Sequence, residues 1–247
     1  MNKALSSRLA KDALSIAKEL FPINRSLSNK GVNKTLKILS KGIPDFKLKS
    51  FKSRKKMSDW KVPMHWDIRK AYIKDMYGKI IVDFDNNNLH VVSHSKAIKK
   101  KVSRNELFKH LHSRPDMPDA IPYTTSYYKK NWGFCISENQ KKKLNDNFYF
   151  VEIDSTFSDK PMAYGEIFIP GKFKNKEIFF STYVCHPSMA NNELSGPVVA
   201  QGLIKHLSTR DNNYSYRFLF IPETIGSISY ITENLDRRVR ELDNTST

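Results

Sequence analysis

Hydrophobic residues over positions 5 to 20 recur at intervals of three and four, which predicts an amphipathic helix with Leu9, Leu14, Ile16 and Leu20 on its inner face. Pro22 and Gly31 punctuate the stretch that follows, and "VNKTLKILSKGIP" predicts a second helix closed by Gly42 and Pro44. Between 46 and 95 the period shortens. "FKLKSF", "AYIKDM", "KIIVDF" and "LHVVSH" predict strands, and "DMYGK" a hairpin turn at Gly78. Ser103 and Glu106 have the spacing of a capping box that opens a helix to about His112; Ser137 and Gln140 repeat it.

From about 147 the pattern changes again. "NFYFVEIDSTF" and "PMAYGEIFIP" predict a β-hairpin around "SDKP". "EIFFSTYVC" is apolar or β-branched almost throughout and predicts a buried strand. "SGPVVAQGLIKHLS" predicts a helix with Ser195 as N-cap and Pro197 in its first turn. "YSYRFLFI" predicts another strand, and "GSISYITENL" the start of another helix. Strand, helix, strand, helix at this spacing implies a parallel α/β sheet.

Composition narrows this picture only modestly. A chain of 247 residues with 39% hydrophobic content suits one large domain, or one domain carrying a smaller insertion. No run of about 18 apolar residues is present, so no membrane span is expected. The N-terminus lacks the apolar core of a secretion signal. Two cysteines, Cys135 and Cys185, do not make a disulfide framework and fit reduced core thiols in a cytoplasmic protein. The formal net charge is +17. No zinc finger, RNP-like aromatic motif or helix-turn-helix accompanies it, so a specific nucleic-acid partner is not expected. "KAIKKK" reads as a solvated loop.

The candidate chemistry lies in "STYVCHPSMANNELSG" and "FIPETIGS". His186 directly follows one predicted strand and Glu223 the next. In open α/β sheets ligands collect beyond the carboxyl ends of the strands, and neighbouring strands lie about 5 Å apart. His186 and Glu223 are therefore expected side by side, with Asn192 and Glu193 in the loop on the same edge. An imidazole and a carboxylate are ordinary zinc ligands, and a free carboxylate can take a proton from metal-bound water. His186 and Glu193 fit the ligands, Glu223 the general base. The plainer reading is a hydrogen-bonded loop histidine and a Pro-Glu-Thr turn capping a helix; no standard short zinc motif decides between them. His90 and His94 read as surface or packing residues, and Cys185, adjacent to His186 on a strand, as a core thiol on the opposite face.

"ELFPINRSLSNKGVNKTL", "DFDNNNLHVVSHS", "IPYTTSYYKKNWGFCIS", "YVCHPSMANNELSG" and "RFLFIPETIGSISYI" resemble the bacterial aminopeptidase-like proteins found with surface-polysaccharide biosynthesis genes. The resemblance implies an α/β fold of the zinc aminopeptidase and glutaminyl cyclase type, a parallel or mixed sheet flanked by helices. On that pattern residues 1–47 are N-terminal helices, 48–135 an inserted β-rich subdomain and 136–247 the first part of the core. Two-zinc aminopeptidases carry an Asp where Asn192 stands and a second Glu where Thr224 stands, which implies one zinc rather than two. His186, Glu193 and Asn192 would hold or position it, with Glu223 as acid/base. Further ligands come from later strands, so the resemblance also implies a missing C-terminal half or a homo-oligomer that covers an open sheet edge. The implied substrate is a small peptide or amide. A non-catalytic binding protein on the same fold is the alternative, favoured by the neutral Asn192 and Thr224.

Overall fold

The computed structural model describes residues 3–244, with side chains over 10–234. The chain forms two compact units, one of residues 1–65 with 159–247 and one of Trp66–Ser158.

The first unit begins with helix α1 (Lys3–Leu20) and helix α2 (Lys30–Leu39). The inner face of α1 is Ala13, Ile16, Ala17 and Leu20. Leu14, expected inside, is exposed, because at 100° per residue it lies off the stripe those four residues make; the side chain of Leu9 lies outside the described residues. Asn29 caps α2, its Oδ1 accepting the Val32 N–H at 2.9 Å. Gly31 permits a close approach there, since a Cβ would sit 1.8 Å from the Asn24 carbonyl oxygen. Strand β1 (Lys47–Phe51) follows.

The second unit carries β2 (His65–Lys74), β3 (Ile80–Asp83), β4 (Ile98–Ser103), helix α3 (Arg104–Lys109), helix α4 (Glu138–Lys142) and β5 (Phe148–Ser158), in sheet order β3-β2-β5-β4. The hairpin at Gly78 forms, with φ +85° at the glycine. "LHVVSH" is a 3-10 turn (Asn88–His90) with isolated bridges rather than a strand. His90 and His94 are both buried packing residues: His90 Nδ1 lies 2.7 Å from the Cys135 carbonyl, and His94 stacks on Trp66. Ser103 accepts the Glu106 N–H, whereas the Glu106 carboxylate lies near His110 and Lys109, and the helix ends at Lys109. Around Ser137 and Gln140 both halves of the capping box are made.

The chain returns to the first unit with β6 (Met162–Ile169), β7 (Phe173–Tyr183), helix α5 (Ser195–Leu207), β8 (Tyr214–Ile221) and helix α6 (Ile225–Asn244). Its sheet order is β1-β6-β8-β7, with β7 and β8 parallel and the other pairs antiparallel. The expected hairpin around "SDKP" does not form. Tyr149, Val151 and Ile153 of β5 belong to the core of the second unit, whereas β6 pairs with β1 and β8. The inserted unit therefore runs Trp66–Ser158 instead of 48–135: β1 stays with the first sheet through pairs from Lys47↔Glu166 to Phe51↔Met162, and β5 pairs with β4. Leu20, Leu36, Leu39, Ile204, Phe218 and Phe220 join α1, α2, α5 and the sheet in one core.

Strand β7 departs from expectation as well. It is exposed over 173–181, because it has β8 on one side and forms the edge of the sheet. Phe173, Ile178, Phe179 and Phe180 are all more than a third exposed. An apolar edge of this kind is a template for further strand pairing. The 247-residue chain is accordingly expected to self-associate with rising concentration. Replacing Phe179 and Phe180 together by lysine should raise the half-association concentration in sedimentation by about tenfold or more, the effect of ~1.4 kcal/mol.

Candidate functional site

Two parallel strands end at the same edge of the first sheet. After β7, Val184 N–H still bonds the Ile221 carbonyl at 3.2 Å, which holds the two exits together. Cys185 and His186 follow on one strand, Pro222 and Glu223 on the other. The loop after His186 turns at Ser188 (φ +46°) and winds into a wide helical turn, Ala190–Leu194, that runs directly into α5. Ser195 is therefore inside continuous helix and not its N-cap. The extra turn carries Glu193 inward, where it is completely buried, and leaves Asn192 exposed.

The imidazole of His186 lies between two carboxylates. Nδ1 is 2.7 Å from Glu193 Oε1, and Nε2 is 3.1 Å from Glu223 Oε2. The second oxygen of Glu193 accepts the Cys185 N–H at 2.9 Å. Glu223 is nearly half exposed, so the imidazole has a closed side and an open side. Thr224, in the left-handed region at φ +53°, turns the chain into α6. His186 and Glu223 are thus neighbours, as the strand-end argument requires. Cys185, His186 and Glu193 form a group whose candidate donor atoms all lie within 4.8 Å of one another, and Asn192 lies in the same turn as Glu193, on its exposed side.

Two contributors were not expected. Arg25 is 1% exposed. Its Nε donates to the His186 carbonyl at 2.9 Å and its Nη1 to the Leu20 carbonyl at 2.6 Å, at the end of α1. Burial lowers its pKa to about 10, against the opposing pull of Glu193 and Cys185, so the guanidinium remains charged at neutral pH. The only sequence signal was a lone charge amid Pro22, Ile23 and Leu27. Cys185 is the core thiol expected, but its Sγ accepts the Glu223 N–H at 3.2 Å and so lies under the site. Burial pushes this thiol well up, which keeps it protonated and poorly nucleophilic at neutral pH.

The model of a domain of unknown function, DUF4910, matches residues 14–243. A Clostridium acetobutylicum protein, named as a polysaccharide biosynthesis protein with aminopeptidase-like domain, is 44% identical over 94% of this chain and 53% of its own length. A crystal structure from the same organism, carrying the name of a peptidase, matches with TM-score 0.89 and 44% identity over 94% of this chain and 54% of that one. A zinc aminopeptidase from Bacillus subtilis shares the fold at TM-score 0.54 and 14% identity, over 87% of this chain and 61% of its own. The chain spans about half the length of the curated relative it matches. Among the described residues no helix is long and apolar enough to cross a membrane.

Proposed function

Because this chain belongs to the DUF4910 family and has an aminopeptidase-like fold, we propose that its sheet-edge site serves metal-assisted hydrolysis of a peptide or amide bond, on a building block of a surface polysaccharide. The observation that carries this is the His186 imidazole between Glu193 and Glu223 at the ends of two adjacent parallel strands. An imidazole with carboxylates is a donor set that zinc takes. His186 would hold the ion, with carboxylate support from Glu193 and Glu223 and with Asn192 at the rim. The Cys185 sulfur lies within 4.8 Å of the His186 and Glu193 donor atoms, where it accepts the Glu223 N–H. A bound zinc would supply a water of lowered pKa and polarise a carbonyl. Glu223, nearly half exposed, can reach a water or a leaving group and hold its proton at a carboxylate oxygen.

One histidine and two carboxylates are a partial donor set, and the rest of the site would come from polypeptide such as the relatives carry beyond the matched half. Turnover by these 247 residues alone is therefore expected to be slow. The test is hydrolysis of a panel of aminoacyl anilides and peptides. Chelation should stop it, zinc should restore it, and Glu223→Gln should lower kcat about 10²-fold or more. The neutral Asn192 and Thr224 favour a second reading, a binding module on the same fold. Stoichiometric zinc with no cleavage of any substrate in a full-length relative would support that module and remove the hydrolase.

A further inference from the structure

We infer that Cys185 is a ligand of the ion, its sulfur joining the His186 imidazole and a Glu193 oxygen on the closed side of the site; the inference rests on the metal-site reading above and deepens it. Within a strand, neighbouring residues point to opposite faces. Cys185 and His186 lie beyond the end of β7 at Tyr183, in irregular chain, where that alternation no longer separates them. One donor atom from each, with one from Glu193, fall within 4.8 Å of one another.

The state of Glu193 carries the argument. Its Oε2 accepts the Cys185 N–H at 2.9 Å. Its Oε1 is buried, accepts no hydrogen bond and lies 2.7 Å from His186 Nδ1. A buried carboxylate oxygen without a donor is costly, and buried charges are kept by pairing or by coordinating a metal. The Arg25 guanidinium is near enough for Glu193 to raise its pKa, but its hydrogen bonds go to the His186 and Leu20 carbonyls. An ion on the closed side would satisfy Oε1 directly. Donors around one tetrahedral zinc lie about 3.3–3.6 Å apart, so the imidazole and Oε1 would part by roughly half an ångström to take it.

The sulfur fits the same role. Cys185 is fully buried, and its Sγ accepts the Glu223 N–H at 3.2 Å. A hydrogen bond of this kind favours the thiolate, and a ligating thiol gives its proton to solvent as the sulfur–metal bond forms. Sulfur, imidazole and carboxylate together select zinc over hard cations such as magnesium or calcium. They are three protein donors, the number that catalytic zinc sites use. Glu223 then stays on the open side as acid/base, with its N–H tied to a ligand.

The test is cobalt(II), a spectroscopic stand-in for zinc, added to the metal-free 247-residue chain and read by absorption. The wild type should show the intense near-ultraviolet charge-transfer band of a cobalt–thiolate bond, saturating at one equivalent and lost when zinc is added. Cys135 lies in the second unit, so the band reports Cys185 and should vanish in Cys185→Ser. Zinc affinity in that variant should fall about 100-fold or more, the loss of one of three ligands. Cobalt bound by the wild type without the band would overturn the inference, with no variant needed, and leave the metal-site reading standing. A band that survives in Cys185→Ser would overturn it in the same way. A folded wild-type chain that takes up neither metal would sink both together.

Discussion

Replacing Arg25 by methionine is expected to destabilise the first unit by about 3–5 kcal/mol, the range for removing one member of a buried charged group. Methionine fills much of the volume, so the loss comes from polar groups. The Leu20 carbonyl, at the C-terminal end of α1, keeps the Ile23 N–H but loses the guanidinium donor and the favourable charge that completes a helix end. The His186 carbonyl loses its donor too, 161 residues along the chain. Glu193 then remains buried without the neighbouring guanidinium. A hydrogen bond from a charged donor contributes roughly 1.5–3 kcal/mol, so the loss of two brings the sum to the same range. Arg25→Lys should recover part of the loss, because one ammonium cannot reproduce the fork that spans two carbonyls. Urea denaturation followed by amide exchange in α1 and β7 would measure it. A loss under 1 kcal/mol for Arg25→Met would show that the guanidinium does not tie the helix end to the site.

The strand-end geometry was legible before any coordinates, because it follows from chain order alone. A strand, a helix and a second strand parallel to the first put His186 and Glu223 on one edge whatever the side chains do between them. The loop was less legible. "MANNELSG" contains Ser195 in a plausible N-cap position, and nothing in the letters announces the wide turn that starts the helix at Ala190 and buries Glu193. Arg25 escaped because its partners are backbone carbonyls, which carry no sequence signature. The same limit produced the misplaced hairpin. β5 and β6 are close in sequence and both strand-like, and short loops favour pairing, but alternation cannot say which sheet each strand joins. The exposure of β7 was hidden for a related reason. Its composition is that of a buried strand, and its place at the edge depends on which strands flank it.

The central claim is that His186 is the pivot of a metal site at the carboxyl edge of the sheet. The most direct test is zinc titration of the metal-free chain by calorimetry, beside His186→Ala. The wild type should take up close to one equivalent. Loss of the imidazole should weaken binding by at least about 100-fold, or ~2.7 kcal/mol. His186 is mostly buried but touches the open side of the site, so the alanine variant is expected to stay folded, which circular dichroism would verify. A wild-type chain that is folded and takes up no zinc would contradict the account. Equal zinc uptake with and without His186 would contradict it equally.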